Sequence, residues 1–141
     1  MSRVGRSQCP LNKAVEILGD RWSLLILRDL IFGEQRGFNE LLQLSREHLN
    51  PKVLTHRLRY LLSVGLIRTR ADHSDQRRHG VYSLSEAGIS LVPAIVHLAT
   101  WAEHHFPVSS AETVRFRLLA NGGVEMQSAF MKAPPCVAPY R

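Results

Sequence analysis

Residues 51–64 hold the side chains best suited to engaging a partner. At about 100° per residue, Val53, Leu54, Leu58, Leu61 and Leu62 fall on one side of a helix. Lys52, Thr55, His56, Arg59 and Ser63 gather on the opposite side. That side offers donors and donor–acceptors but no carboxylate, whereas a solvated helix face ordinarily mixes both signs. Lys and Arg suit guanine edges and phosphates in the major groove of a duplex, and small hydroxyls suit either partner. Asn50 and Pro51 open the segment, since Asn is a strong N-cap and Pro fits the first helical turn. Asn50, Lys52, Thr55, His56 and Arg59 therefore form the candidate set for reading double-stranded DNA.

The neighbouring elements suit the same chemistry. Residues 38–44 read as a short helix that leads across a turn into 51–64, which makes a helix-turn-helix. Residues 67–70 and 81–84 read as strands joined by the polar loop 71–80, as a wing requires. Arg77, Arg78 and His79 sit near the tip of that loop, where they can lie over the sugar-phosphate backbone or the minor groove. Arg46, Arg68, Arg70, Gln76, Arg77 and Arg78 are the candidate backbone and wing contacts. Arg57 falls on the edge of the apolar side, so it reads as a structural arginine held by a carboxylate such as Asp29 or Glu40.

Charge supports a polyanionic partner. The chain has 141 residues and a net charge of +6, with a pI near 10.0. Residues 1–80 hold 14 Lys and Arg against 8 Asp and Glu, and the remainder is balanced. Within 44–80 the count is 8 against 3. Localised basic charge is the footprint of a nucleic-acid partner, and a merely basic solvated surface is the competing reading. The length suits one compact domain with a short appendage, and 45% apolar residues supply a core. No run reaches the roughly 20 apolar residues of a membrane span. The first residues lack the apolar stretch of a signal peptide, and two distant cysteines, Cys9 and Cys136, form no disulfide framework. A cytoplasmic protein with reduced thiols is expected.

Other chemistry is thinly represented. Cys9 stands at a helix start beside Pro10 and near Arg6 and Lys13, where a thiolate is favoured. It is a candidate redox sensor, against the plainer reading of a packed cysteine, with Cys136 as a candidate resolving partner. His97, His104 and His105 lack the tight spacing and further ligand that metal sites prefer, so no metal is expected. There is no Gly-rich phosphate loop, paired carboxylates or Ser/His/Asp set, and neither a cofactor nor catalysis is expected.

The remaining elements must position these groups. Residues 10–18 read as a helix between Pro10 and Gly19, and residues 21–32 as a core helix capped by Asp20. Ser85 caps a long helix running to about residue 105, which Pro93 should kink or break. Its stripe Val92, Ile95, Val96 and Ala99 suits either a dimer interface or internal packing. Beyond it, Val114, Phe116 and Leu118 alternate with polar residues, and so do Val124, Met126 and Phe130 after Asn121-Gly122-Gly123. That pattern predicts a β-hairpin with a three-residue loop, followed by a loose tail over 133–141.

Several runs together resemble the HxlR-type winged helix-turn-helix regulators. They are Cys9-Pro10, Gly19-Asp20-Arg21-Trp22 with Leu24-Leu25-Ile26-Leu27-Arg28-Asp29-Leu30, Phe38-Asn39-Glu40-Leu41, the run 50–59, Gly65-Leu66-Ile67 and 81–88. The resemblance covers about residues 7–106. It implies a mainly α, α+β winged helix-turn-helix, with residues 50–64 in the major groove and the 67–84 hairpin as wing. It also implies a homodimer built from the N-terminal segment and the long helix after the wing. Family members carry a proline near Pro93 in that helix. Some sense oxidants or electrophiles through a cysteine at the place of Cys9. The wing tip 74–78 lacks the proline often found there, and residues 108–141 lie outside the shared core. The expected domains are 7–106, for DNA binding and dimerisation, and 108–141, a β-hairpin extension and tail. The expected function is a homodimeric transcriptional regulator on a near-palindromic operator, modulated by thiol chemistry or a small ligand. A protein-interaction module without DNA binding and a thiol-based enzyme are the competing classes.

Overall fold

The computed structural model describes residues 8–33, 35–70 and 80–122. Helix α1 (Pro10–Leu18) starts on its proline, and the Gly19 amide closes it on the Val15 carbonyl. Helix α2 (Ser23–Gly33) is capped by Asp20, whose Oδ1 accepts the amides of Trp22 and Ser23 at 2.8 and 2.9 Å. Those bonds hold Arg21 and Trp22 in a turn, so the helix begins two residues later than its sequence suggests.

Strand β1 (Gln35–Gly37) leads directly into α3 (Phe38–Leu44), and after a turn comes α4 (Pro51–Ser63). Asn50 Oδ1 accepts the Lys52 amide at 2.8 Å, which is the expected cap. Gly65 ends the helix with φ +78°, a left-handed conformation that glycine adopts without steric cost. The Gly65 and Leu66 amides donate to the carbonyls of Leu62 and Leu61 at 3.1 and 3.0 Å. Strands β2 (Ile67–Arg70) and β3 (Val81–Leu84) follow the sequence reading. The sheet is antiparallel in the order β1–β3–β2, with Arg68 opposite Ser83 and Arg36 opposite Tyr82. Strand β1 was not anticipated, because three residues are too few to display alternation.

Pro93 does divide the helix after the wing. Helix α5 (Glu86–Ser90) and helix α6 (Val92–His105) meet at Leu91, and Pro93 occupies the first turn of α6, where its missing amide costs nothing. Ser85 Oγ accepts the Gly88 amide at 3.2 Å and donates to the Gly65 carbonyl, tying both turns together. Gly88 is obligatory there, since a Cβ would lie 2.2 Å from the Leu66 carbonyl oxygen. Val92, Ile95 and Val96 are buried within the chain, so most of the α6 stripe packs internally.

The C-terminal hairpin expectation is corrected. Residues 110–121 form helix α7 (Ser110–Asn121), not the first strand of a hairpin. In the helix Thr113, Phe116, Leu119 and Ala120 turn towards the body, and Leu119 is buried. The Phe116 ring meets Phe32 edge-on at 5.1 Å. Val114 and Leu118, which the hairpin pattern put on an apolar face, are 54% and 61% exposed. Packing against α2 and α6 decided between two periods that the sequence carries together. The other expected strand and the tail, with Cys136, lie outside the described residues.

One core joins these elements. Ile26, Leu27, Leu30 and Ile31 from α2 meet Leu41 from α3, Leu54, Leu58 and Leu61 from α4, and Ile67 and Leu84 from the sheet. No helix among the described residues is long and apolar enough to cross a membrane.

Candidate nucleic-acid interface

Helix α4 is divided as its periodicity predicts. Leu54, Leu58 and Leu61 are buried, while Lys52, His56, Arg59 and Ser63 are exposed and Thr55 is half-buried. The helix contains no Asp or Glu, so its outer face is cationic without internal neutralisation. Its N-terminus, behind exposed Asn50, adds the partial positive charge of unpaired amides. Thr55 Oγ1 donates to the Pro51 carbonyl at 2.9 Å, which leaves its lone pairs to accept from a partner. Burial pushes the Tyr82 phenol up in pKa, and the Arg59 guanidinium partly offsets this.

The other candidates are spread around this helix. Arg46 is exposed on the turn between α3 and α4. Arg68 and Arg70 are exposed on the sheet face opposite Ile67 and Leu84. Gln76, Arg77 and Arg78 lie outside the described residues. Gly80 closes the wing base tightly, as a Cβ there would lie 2.5 Å from Thr69 Oγ1.

Arg57 meets a carboxylate, but it is Asp20 rather than Asp29 or Glu40. Arg57 Nη1 lies 3.1 Å from Asp20 Oδ2, and its guanidinium stacks 5.2 Å above the Tyr60 ring. Burial would raise the Asp20 carboxyl. Hydrogen bonds from Ser23 and Trp22, with the Arg57 charge, outweigh it and hold the group below the usual carboxylate range. Tyr60 Oη donates to the Glu16 carbonyl at 3.3 Å, a second tie between α4 and the N-terminal helix.

A further anchor escaped the sequence reading. Arg28, within the apolar α2, holds both Glu47 oxygens at 2.8 and 3.1 Å and donates through Nε to Asp29 at 2.9 Å. Burial alone would lower the Arg28 pKa, but the two carboxylates outweigh it and keep the guanidinium charged. The Arg28 hydrogen bonds draw the Glu47 carboxyl down, whereas burial raises Asp29. Glu47 lies in the turn that leads into α4, so this pair ties that turn to α2. The available signal was a charged pair, Arg28-Asp29, interrupting an apolar helix.

Cys9 is exposed at the N-cap position of α1, and its carbonyl accepts the Lys13 amide at 3.1 Å. His104 Nδ1 lies 2.7 Å from the Thr100 carbonyl, and the His105 ring lies 5.5 Å from Trp101. Among the described residues no three His, Cys, Asp or Glu gather as metal ligands.

Comparison with known proteins agrees with this architecture. Residues 17–110 match the model of the HxlR-like helix-turn-helix family. The chain is 40% identical over 108 residues to the HTH-type transcriptional regulator Rv3095 of Mycobacterium tuberculosis, covering 76% of this chain and 65% of that one. It therefore spans slightly less than two thirds of that relative. It is 34% identical over 97 residues to the HTH-type transcriptional regulator YdeP of Bacillus subtilis, covering 69% of this chain and 73% of YdeP. Among solved structures, the redox regulator HypR in its oxidized form superposes with a TM-score of 0.61 at 28% identity, over 71% of this chain and 100% of HypR. The reduced transcriptional regulator YodB from B. subtilis gives 0.58 at 25%, over 70% of this chain and 95% of YodB. With two thirds of its residues matched by the family model and a cationic α4 closing the helix-turn-helix, the chain belongs to the HxlR-like helix-turn-helix family of transcriptional regulators.

Proposed function

We propose that the protein is a homodimeric, sequence-specific regulator that binds double-stranded DNA. Each protomer inserts α4 into a major groove, and the dimer reads a near-palindrome with half-sites about 34 Å apart. Lys52, Thr55, His56 and Arg59 read base edges, and Asn50 orients the helix N-terminus towards a phosphate. Arg46, Arg68, Arg70, Gln76, Arg77 and Arg78 contact the backbone and supply much of the affinity. Arg57 works behind this face, holding the helix in place. One observation carries the reading: the solvent-facing side of α4 carries Lys52, His56 and Arg59 and no carboxylate, while the opposite side is locked into the core. The pair of domains expected from the sequence, 7–106 and 108–141, serves this reading, with the first holding the DNA-binding and dimer elements.

Activity is regulated by a bound small molecule or by modification of Cys9. HypR is described as a redox regulator, and the exposed position of Cys9 supports an analogous role here. The deciding experiment is selection of bound fragments from genomic DNA by purified protein, followed by a salt titration on the selected duplex. A regulator enriches one palindromic site and loses affinity steeply as salt rises. Absence of both enrichment and salt dependence would overturn the DNA-binding reading, as a protein-interaction module should show neither.

A further inference from the structure

We propose that the cavity between α2, α6 and α7 is an effector site for a small, uncharged, largely hydrocarbon or aromatic molecule, and that Arg28 relays its occupancy to α4. The relay rests on the DNA-binding reading; the site does not.

The cavity is open to solvent along one side, where Leu98 and Val108 are exposed, and holds about 430 Å³. Small-molecule sites typically run from about 300 to 1,000 Å³. Its walls are Leu24 and Leu25 from α2, Leu98 and Ala102 from α6, and Phe116 from α7. Helix α7 lies almost wholly beyond the residues that match the family model, so one wall belongs to this chain's own extension.

Three polar side chains at the rim already have partners. Arg28 is engaged by Glu47 and Asp29, Glu103 pairs with Arg117, and Thr113 Oγ1 donates to the Ser109 carbonyl at 2.9 Å. Water inside gains few hydrogen bonds from such walls, so an apolar occupant displaces it favourably. An anion would face the Glu103 carboxylate and find the Arg28 charge already taken by Glu47 and Asp29, and a cation would lose its hydration unless it broke the Glu103–Arg117 pair. A neutral apolar molecule meets neither penalty.

Arg28 gives the site an output. The same side chain lines the cavity and grips Glu47, three residues before the Asn50 cap of α4. An occupant that shifts the guanidinium releases the turn at Glu47, and the recognition helix loses its fixed orientation. Binding and release are then coupled reciprocally, as any two-site linkage requires.

The probe is N-phenyl-1-naphthylamine, a neutral apolar fluorophore, titrated into the full chain. The expected result is saturable emission with one probe per chain, weakened at least tenfold by Ala102→Trp, which fills the cavity, and unchanged by Leu118→Ala on the outer face of α7. Circular dichroism confirms that both variants fold. Saturating probe should lower affinity for the selected duplex at least fivefold, and Glu47→Gln should keep probe binding while shrinking that drop. Non-saturable emission, or equal binding by Ala102→Trp, overturns the site. A shift of Ala102→Trp from dimer to monomer in sedimentation, with no saturable probe binding by the parent chain, would identify a face between copies and also overturn it. Saturable binding with unchanged duplex affinity overturns the relay. Saturable binding by a chain that holds no duplex overturns the DNA reading and leaves the site standing.

Discussion

Arg57 Nη1 sits 3.1 Å from Asp20 Oδ2, so a single carboxylate both caps α2 and pins α4. Both side chains are about three-quarters removed from solvent, which limits screening of the pair. Asp20→Ala should therefore lose a helix cap and an ion pair together, costing about 2 kcal/mol, with roughly half from each. Asp20→Asn keeps the cap and should cost about 1 kcal/mol. Urea unfolding of both variants, with Arg57→Ala and the double variants, gives the coupling directly. Additive losses at Asp20 and Arg57 would show that the contact contributes nothing.

Acid should erase that advantage. The Asp20 carboxyl is held below its ordinary value of 3.8, so its stabilisation is complete above that pH and fades as pH falls through the lower folded value. The stability gap between the parent chain and Asp20→Asn should stay constant from about pH 7 to 5 and close below about 4. Unfolding midpoints measured across that range test it, and a gap that widens in acid would contradict the assigned direction.

The Arg28 guanidinium holds Glu47 through two parallel bonds, a geometry lysine cannot reproduce. Arg28→Lys should destabilise by about 1–2 kcal/mol and Arg28→Ala by about 3 kcal/mol, because the latter leaves two partly buried carboxylates unpaired. Thermal melts give the order. Equal effects of the two substitutions would mean that the charge alone matters.

The winged core could be read from local chemistry that packing then reinforces. Asn50-Pro51, Gly65 at positive φ and Ser85 are punctuation whose effect is complete within a few residues. Helix α7 was hidden because Val114, Phe116 and Leu118 repeat every two residues while Thr113, Phe116 and Ala120 repeat every three or four. Packing against distant elements decides between them, including the contact of Phe116 with Phe32, 84 positions away. The partners of Arg28 and Arg57 were hidden for the same reason. Glu47 and Asp20 come close through the fold, and no spacing rule links them to their arginines.

On DNA, the exposed cations of α4 and β2 should separate by role. Arg59→Ala should cost about 1–3 kcal/mol on the selected site and much less on unrelated duplex, if Arg59 reads a base. Arg68→Ala and Arg70→Ala should weaken all duplexes alike, each lowering the salt slope by about 1. Fluorescence anisotropy at several salt concentrations separates these outcomes. A uniform loss for Arg59→Ala would move it to the phosphate set.

The extension offers the sharpest contrast, since helix and hairpin place the same residues on opposite sides. In α7 the Leu119 side chain is buried and Val114 is exposed. Leu119→Ala should then cost about 2–4 kcal/mol, and Phe116→Ala about 3 kcal/mol through loss of its edge contact with Phe32. Val114→Glu should stay within about 0.5 kcal/mol of the parent chain, because it changes only a solvent-facing position. A hairpin with Val114, Phe116 and Leu118 on its docked face reverses that order, making Val114→Glu severe and Leu119→Ala mild. Chemical unfolding of these three variants distinguishes the two arrangements without any DNA.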